Sequence, residues 1–142
     1  SALDGLRVRD GMMTRFRALS ASDTLDTAVA ELLAGSQQDF PVLENGVPVG
    51  ILRRNDLVKA LSEGRRNAAI REVMCRQCDT VDEGAQLKQA IESMHARQCA
   101  SIPVVSGGRM AGLLTLENVS EALMINAALE TAGGGASGRP GP

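Results

Sequence analysis

Aromatic side chains are nearly absent from this chain. Phe16 and Phe40 are the whole supply, 1% of 142 residues, with no Trp and no Tyr. Proteins that hold single-stranded nucleic acid stack its bases on aromatic faces, so a binder of that kind is excluded. A surplus of either charge is missing as well. Fifteen Lys and Arg stand against seventeen Asp and Glu, a net charge of −2, which gives no bulk pull toward DNA or an anionic membrane. No apolar run approaches the roughly 20 residues that span a bilayer, and no secretory signal is visible. Direct membrane insertion is therefore not expected. Histidine occurs once, as His95, so a His-Glu-x-x-His zinc motif cannot be built. No nucleophile–base pair and no open metal constellation is present, and the chain reads as non-enzymatic. Three cysteines, an odd number, argue against a secreted disulfide framework and fit a reducing, cytoplasmic setting. The chain starts at Ser1 rather than Met, which suggests a piece of a longer protein or the remnant of a tag.

Repetition is what the sequence has in quantity. Hydrophobic residues make up 44%, enough for one compact domain or two small halves that share a core. Sliding the sequence by 62 residues lays Val8–Leu61 on Ile70–Leu123 without a gap. Twelve of the 54 aligned pairs are identical, among them Met12/Met74, Pro41/Pro103, Gly50/Gly112 and Leu52/Leu114. Chance would supply about three or four. A tandem repeat predicts two similar units in approximate symmetry, with paired clefts where they meet. Such clefts are natural ligand sites.

Each unit reads β-α-β-β-α. A short lead-in segment (Val8–Met13, Ile70–Met74) precedes an extended stretch, Phe16–Leu19 or Cys78–Val81. An amphipathic helix follows. In the first unit Ser22 or Asp23 is the expected N-cap, Leu25, Ala28, Val29, Leu32 and Leu33 form the apolar stripe, and Gly35 is the stop. The second unit repeats the stripe with Leu87, Ala90, Ile91 and Met94. Two strands come next, Phe40–Leu43 and Val47–Leu52 around Glu44-Asn45-Gly46, then Ile102–Val105 and Met110–Leu114 around Ser106-Gly107-Gly108. Asn-Gly is a strong hairpin signal. Helices over Asn55–Glu63 and Leu116–Leu129 close the units, and the polar Ser62–Asn67 links them.

Three motifs recur in both units at the same offset: Arg-Asp/Glu-x-Met in the lead-in, Phe/Ile-Pro-Val on the first hairpin strand, and Gly-x-Leu at the end of the second. Together they resemble a tandem pair of cystathionine-β-synthase (CBS) domains, a Bateman module, from Val8 to about Leu123. The resemblance implies an α+β fold of two repeats packed sheet to sheet about a pseudo-twofold axis. It implies clefts that take adenosine-containing nucleotides and regulate an attached protein, and it implies homodimers. The expected division is a linker over 1–7, repeats over 8–66 and 67–130, and a disordered Gly/Pro/Ala/Ser tail over 131–142. The run Thr115–Ile125 also resembles the final helix of CBS pairs joined to site-2-type membrane zinc metalloproteases. That implies a soluble, cytoplasmic part of a membrane protein.

The family's nucleotide motif, Gly-x-x-Thr/Ser-x-x-Asp, leads a strand into a helix N-terminus, whose free N–H groups favour phosphate. The hydroxyl adds a hydrogen bond, and the Asp accepts from the ribose diol. Each repeat has part of the motif. Repeat one keeps Asp56 but has Arg53 for the hydroxyl residue; repeat two keeps Thr115 but has Asn118 for Asp. The resemblance places Phe40, Pro41, Ile102 and Pro103 around the base, with Ala18 and Thr80 at the strand position that contacts it. AMP, ADP or ATP is the expected regulatory ligand, with no cofactor required. Asp56 and Arg53 together suggest that the repeat-one cleft prefers the more phosphorylated nucleotides. Capping of the helices they begin would equally account for Asp56 and Thr115.

Other residues have plainer readings beside chemical ones. Cys75, Cys78, His95 and Cys99 spell C-x2-C-x16-H-x3-C, a zinc-like spacing. Their repeat-one counterparts include no ligand type, so ordinary thiols are expected and no metal site is assigned. Arg7, Arg9, Arg15 and Arg17 form a solvated face or contact phosphate. Leu123, Met124, Ile125 and Leu129 leave an apolar helix end suited to an interface. The reading is a regulatory nucleotide sensor, with a ligand-free dimerisation module and a small zinc domain as rivals.

Overall fold

The computed structural model describes residues 2–137. Two three-stranded sheets carry the fold. The first contains β1 (Leu19–Ser20), β2 (Asp39–Glu44) and β3 (Val47–Arg53); the second contains β4 (Val81–Asp82), β5 (Ser101–Ser106) and β6 (Arg109–Thr115). In each, a short parallel strand joins an antiparallel hairpin. The helices are α1 (Val8–Gly11), α2 (Leu25–Ala34), α3 (Arg54–Ser62), α4 (Leu87–Arg97) and α5 (Leu116–Ser137), with a 3-10 turn at Ile70–Glu72.

The repeat is kept to the register. Leu19 faces Val42 as Val81 faces Val104, and Phe40 faces Leu52 as Ile102 faces Leu114. Both hairpins shift register at the same place, Val42/Leu43 and Val104/Val105. Both turn residues of each hairpin take positive φ, 52° and 78° at Asn45 and Gly46 and 58° and 80° at Gly107 and Gly108. That conformation matches the right-handed twist of the strands, and it favours Asn and Gly. Pro41 sits inside a central strand without penalty. Its partner Ile51 spends its own N–H and C=O on Cys75 (3.0 and 2.7 Å), so no ladder bond to β3 is due at that pair.

The lead-in segments do not stay with their own units. Val8 joins the core of the second unit, among Leu87, Ala90, Ile102 and Val104. Ile70 and Met74 join the core of the first, among Leu25, Ala28, Phe40 and Leu52. The backbone follows the same exchange. Val8 N–H donates to Ala85 O at 2.9 Å as Ile70 N–H donates to Asp23 O at 2.8 Å. Met13 pairs with Leu113 in both directions, at 2.8 and 2.9 Å, as Cys75 does with Ile51. Sequence periodicity assigns each lead-in to the unit that follows it; the tertiary structure gives it to the other.

Gly50 and Gly112 make this exchange possible. A Cβ on Gly112 would meet Met12 Sδ at 2.5 Å and Met13 O at 2.9 Å. A Cβ on Gly50 would meet Met74 Sδ at 2.8 Å and Cys75 O at 3.0 Å. The repeat-identical Gly and Met thus form one contact, used twice across the symmetry axis.

Four expectations need correction. Residues 1–7 are not a free linker where described: Leu3 and Leu6 pack on the second core, and Leu6 O accepts the Leu87 N–H at 3.0 Å. The N-cap of α2 is Thr24, with no side-chain cap bond, because the first helical N–H, Leu25, donates to Ala68 O at 3.0 Å across the exchange. Leu33 is 80% exposed, since the buried stripe of α2 is Leu25 and Ala28 with Val29 and Leu32 alongside. The tail expected to be disordered from 131 continues α5 to Ser137. A helix already nucleated on the core extends by one hydrogen bond per residue fixed; residues 138–142 lie outside the described part. Among the described residues no helix is long and apolar enough to cross a membrane.

Gly112→Ala must push backbone against backbone, and we expect it to destabilise the chain by about 1–3 kcal/mol. Gly35→Ala, with nothing within 4 Å of the added carbon, should change stability by less than about 0.5 kcal/mol. Urea unfolding of both variants checks the pair; equal midpoints would remove the exchange contact as a constraint.

Candidate functional site

The exchanged lead-in of repeat one runs on past the end of β6, and a cleft of about 1060 Å³ opens there. Four pieces of chain line it: Met13–Arg17 after α1, Glu31 with Ala34–Asp39 from α2 to β2, Ala100 and Ser101 at the start of β5, and Leu113 with Thr115–Asn118 and Glu121 at the start of α5. Ligand pockets generally enclose about 300–1,000 Å³, so this one can hold a nucleotide. The related position on repeat one, with Arg53, Asp56 and Lys59, encloses about 280 Å³, below that range.

The α5 end of the large cleft is ordered by two side chains. Thr115 Oγ1 accepts the Asn118 N–H at 3.0 Å, the capping bond that satisfies one free donor of the helix. Asn118 Nδ2 donates to Gly11 O at 3.0 Å and fastens α5 to the exchanged lead-in. An Asp could not make that donation, which gives the Asn a structural reason. Its Oδ1 has no partner among the described residues, and it remains an acceptor.

The opposite rim is held by Arg17 and Gln37. Arg17 grips Glu31 through two bonds, 2.7 and 2.8 Å. The hydrogen bond from Arg17 holds the Glu31 carboxyl below its usual pKa, against a smaller opposing effect of burial. Gln37 Oε1 accepts the Arg17 N–H, and its Nε2 donates to Arg17 O and Asp39 O, all at 2.8 Å. Arg15 lines the cleft with no ion-pair partner among the described residues, and so is free to meet an anion.

In the smaller cleft Arg53 Nε donates to Asp56 Oδ2 at 2.7 Å. That bond raises the Arg53 pKa. The two groups expected to grip phosphate and ribose therefore grip each other. The roomier of the two clefts is the one that carries Thr115 and Asn118. Phe40, Pro41, Ile102 and Pro103 are buried, and Ala18 and Thr80 are exposed. None of the six lines either cleft.

The cysteines also differ from expectation. Cys78 and Cys99 form a disulfide, with Cα atoms 6.0 Å apart, and Cys75 is the buried free thiol. The zinc reading fails on the same geometry: two of its ligands are bonded to each other, and no group of three ligand residues converges among the described residues. On the 62-residue offset, Cys78 and Cys99 occupy the places of Phe16 and Gln37. A covalent bond joins the lead-in loop to the connection between α4 and β5 where the first half uses an amide clamp.

Sequence reasoning missed Phe16, Glu31, Gln37, Asp39, Ser101, Glu117 and Glu121 as cleft residues. The signal was the Met–Gly contact. If Met12 must sit on Gly112, the residues after Met12 must pass the end of β6, beside the Thr115 motif.

The chain belongs to the CBS domain family, which it matches over residues 8–63 and 70–125. It is 26% identical over 121 residues to CBS domain-containing protein YhcV of Bacillus subtilis, covering 84% of this chain and 86% of that protein. Among solved structures it is similar to CBSX2 in complex with AMP (TM-score 0.75, 23% identity, 87% of this chain and 99% of that one). It is also similar to the CBS domain of a bacterial CNNM/CorC family Mg2+ transporter in complex with ATP (TM-score 0.76, 23% identity, 86% and 89%). The CBS pair and its α+β architecture are thereby established.

The disulfide closes a loop across a sequence separation of 21. Cross-links over loops of this size stabilise by about 3 kcal/mol, so we expect the Cys78→Ser/Cys99→Ser double variant to lose about that much. Dithiothreitol should lower the urea midpoint of the wild type and leave the double variant unmoved. A wild type indifferent to reductant would show that the bond does not form in solution.

Proposed function

We propose that the chain is a regulatory module whose large cleft binds an adenine nucleotide and transmits its occupancy to an attached protein. The observation that carries this reading is the cleft of about 1060 Å³ at the N-terminus of α5, with Thr115, Asn118 and the unpaired Arg15 on its walls. Support comes from the related structures that hold AMP and ATP. The phosphate meets Arg15 and the first turn of α5, and the ribose meets Asn118 Oδ1. Because the cleft is built from both repeats, a ligand in it bears on how they pack. The resemblance of Thr115–Ile125 to one protease-linked helix makes a membrane zinc metalloprotease the candidate parent, with this module on the cytoplasmic side.

Titration of AMP into the wild type should give saturable binding and a raised melting temperature, since a ligand of the folded state stabilises it. Arg15 is exposed, so Arg15→Ala should fold normally. It removes a charged hydrogen bond of about 1.5–3 kcal/mol, weakening AMP about ten- to a hundredfold while sparing adenosine. Asp56→Ala should leave binding unchanged, and a loss there would move the site to the smaller cleft. No saturable binding by the wild type would leave the ligand-free dimerisation module.

We also propose a homodimer through the free end of α5. Met124, Ile125 and Leu129 are 67, 56 and 65% exposed on that helix, more apolar surface than a solvated helix end needs. Sedimentation at tens of micromolar, about where a weak interface still assembles, should show a dimer that Ile125→Glu converts to monomer. A wild type of single-chain mass at that concentration would overturn the assembly.

A further inference from the structure

The walls of the large cleft are charged unevenly. Arg15 and Arg17 face Glu31, Asp39, Glu117 and Glu121. Arg17 is already held by Glu31 through both carboxylate oxygens. Asp39 accepts from the Ser101 hydroxyl at 3.2 Å and the Arg54 N–H at 3.4 Å, and it lies across the hairpin from Arg53, whose charge offsets its own. Glu117 and Glu121 have no ion-pair partner among the described residues. One unpaired cation, Arg15, therefore stands against two carboxylates without a counter-charge, Glu117 and Glu121.

Position sharpens the imbalance. A phosphate is drawn to the first turn of α5 by its free N–H groups. Glu117 lies in that turn, and Glu121 follows one turn later on the same side. Thr115 has also taken one of the donors, the Asn118 N–H, for its own cap. The first phosphate of a ligand finds Arg15; a second and third find like charge.

We propose that this cleft selects an adenosine-type nucleoside carrying at most one phosphate and discriminates against the polyphosphate chain. The proposal rests on the reading that the cleft takes an adenine nucleotide, and it adds which of them. Glu117 and Glu121 act as specificity-determining residues by repulsion, which separates ligands of similar contact area more sharply than attraction alone. The smaller cleft has a different balance, with Arg53, Lys59 and Arg65 against Asp56, Glu63 and Glu72.

The test is calorimetric titration of adenosine, AMP, ADP and ATP into the full chain in divalent-free, low-salt buffer. Like charges in partly exposed positions weaken binding modestly, so each phosphate beyond the first should cost about three- to fivefold in affinity. Glu117 and Glu121 are both exposed, and Glu117→Gln/Glu121→Gln should fold as the wild type does. It should raise ATP affinity about tenfold, with adenosine unchanged. ATP binding as tightly as AMP to the wild type would overturn the proposal, as would an AMP-to-ATP ratio that the double variant does not alter. Either result with AMP still binding leaves the nucleotide reading in place. Failure of adenosine and AMP alike removes that reading, and the selectivity with it.

Discussion

Two methionines each rest on a glycine that has no side chain to yield. Met12 lies on Gly112, Met74 on Gly50, and in each case the carbonyl that follows also crowds the place a Cβ would take. Everything else is arranged around these two contacts. They bring each lead-in across to the other repeat, where its backbone extends the edge of a hairpin strand. Neither half-core is complete without the lead-in residue of the other repeat, Val8 in the second core and Ile70 in the first. Core residues of this kind contribute roughly 1.5–3 kcal/mol each by burial, a large share of a small domain's stability. The exchange is therefore part of the fold and not an ornament on it.

The cleft is a by-product of that exchange. The lead-in that seals Gly112 must leave the sheet again, and between its departure and the start of α5 lies the space that Thr115 and Asn118 face. Asn118 serves both sides, since its amide holds Gly11 while its oxygen is left for a ligand. Under the proposed function, a group that faces the cleft and ties two segments together is a natural point of coupling. A ligand can shift a structure only by bonding differently in its two states, and the Asn118–Gly11 bond is one that such a ligand would touch.

Much of this was legible in the residues. The 62-residue offset, the hairpins and the helices all stand where hydrophobic pattern and turn chemistry put them, because those signals are local. Asn45-Gly46 dictates its turn whatever surrounds it. The exchange was not legible: periodicity says which face of Val8 is apolar and nothing about which core receives it. The same gap hid much of the cleft lining. Thr115 and Asn118 were found from their motif, whereas Arg15, Gln37 and Glu121 come from elements that meet only in three dimensions. Arg53 and Asp56 each matched a chemical role, but an i, i+3 pair at a helix start also satisfies itself. Cys78 and Cys99 lie on separate segments whose proximity no spacing rule supplies.

The reciprocal lead-ins bear on the origin of the molecule. One repeat by itself would have a strand end with no sheet to land on and a sheet with no strand end to receive. A second copy supplies both, so the repeat has the self-complementary surface of a twofold homodimer. The segment between α3 and Ile70 turns that association into an intramolecular one, with the effective concentration of a short tether. Fusion also releases the two copies from identity. A true homodimer must build both of its clefts alike; the tethered pair need not. Here one half keeps an amide clamp beside an open cleft, while the other sets a covalent bond in the matching place. Symmetry assembled the protein, and the tether allowed it to become asymmetric.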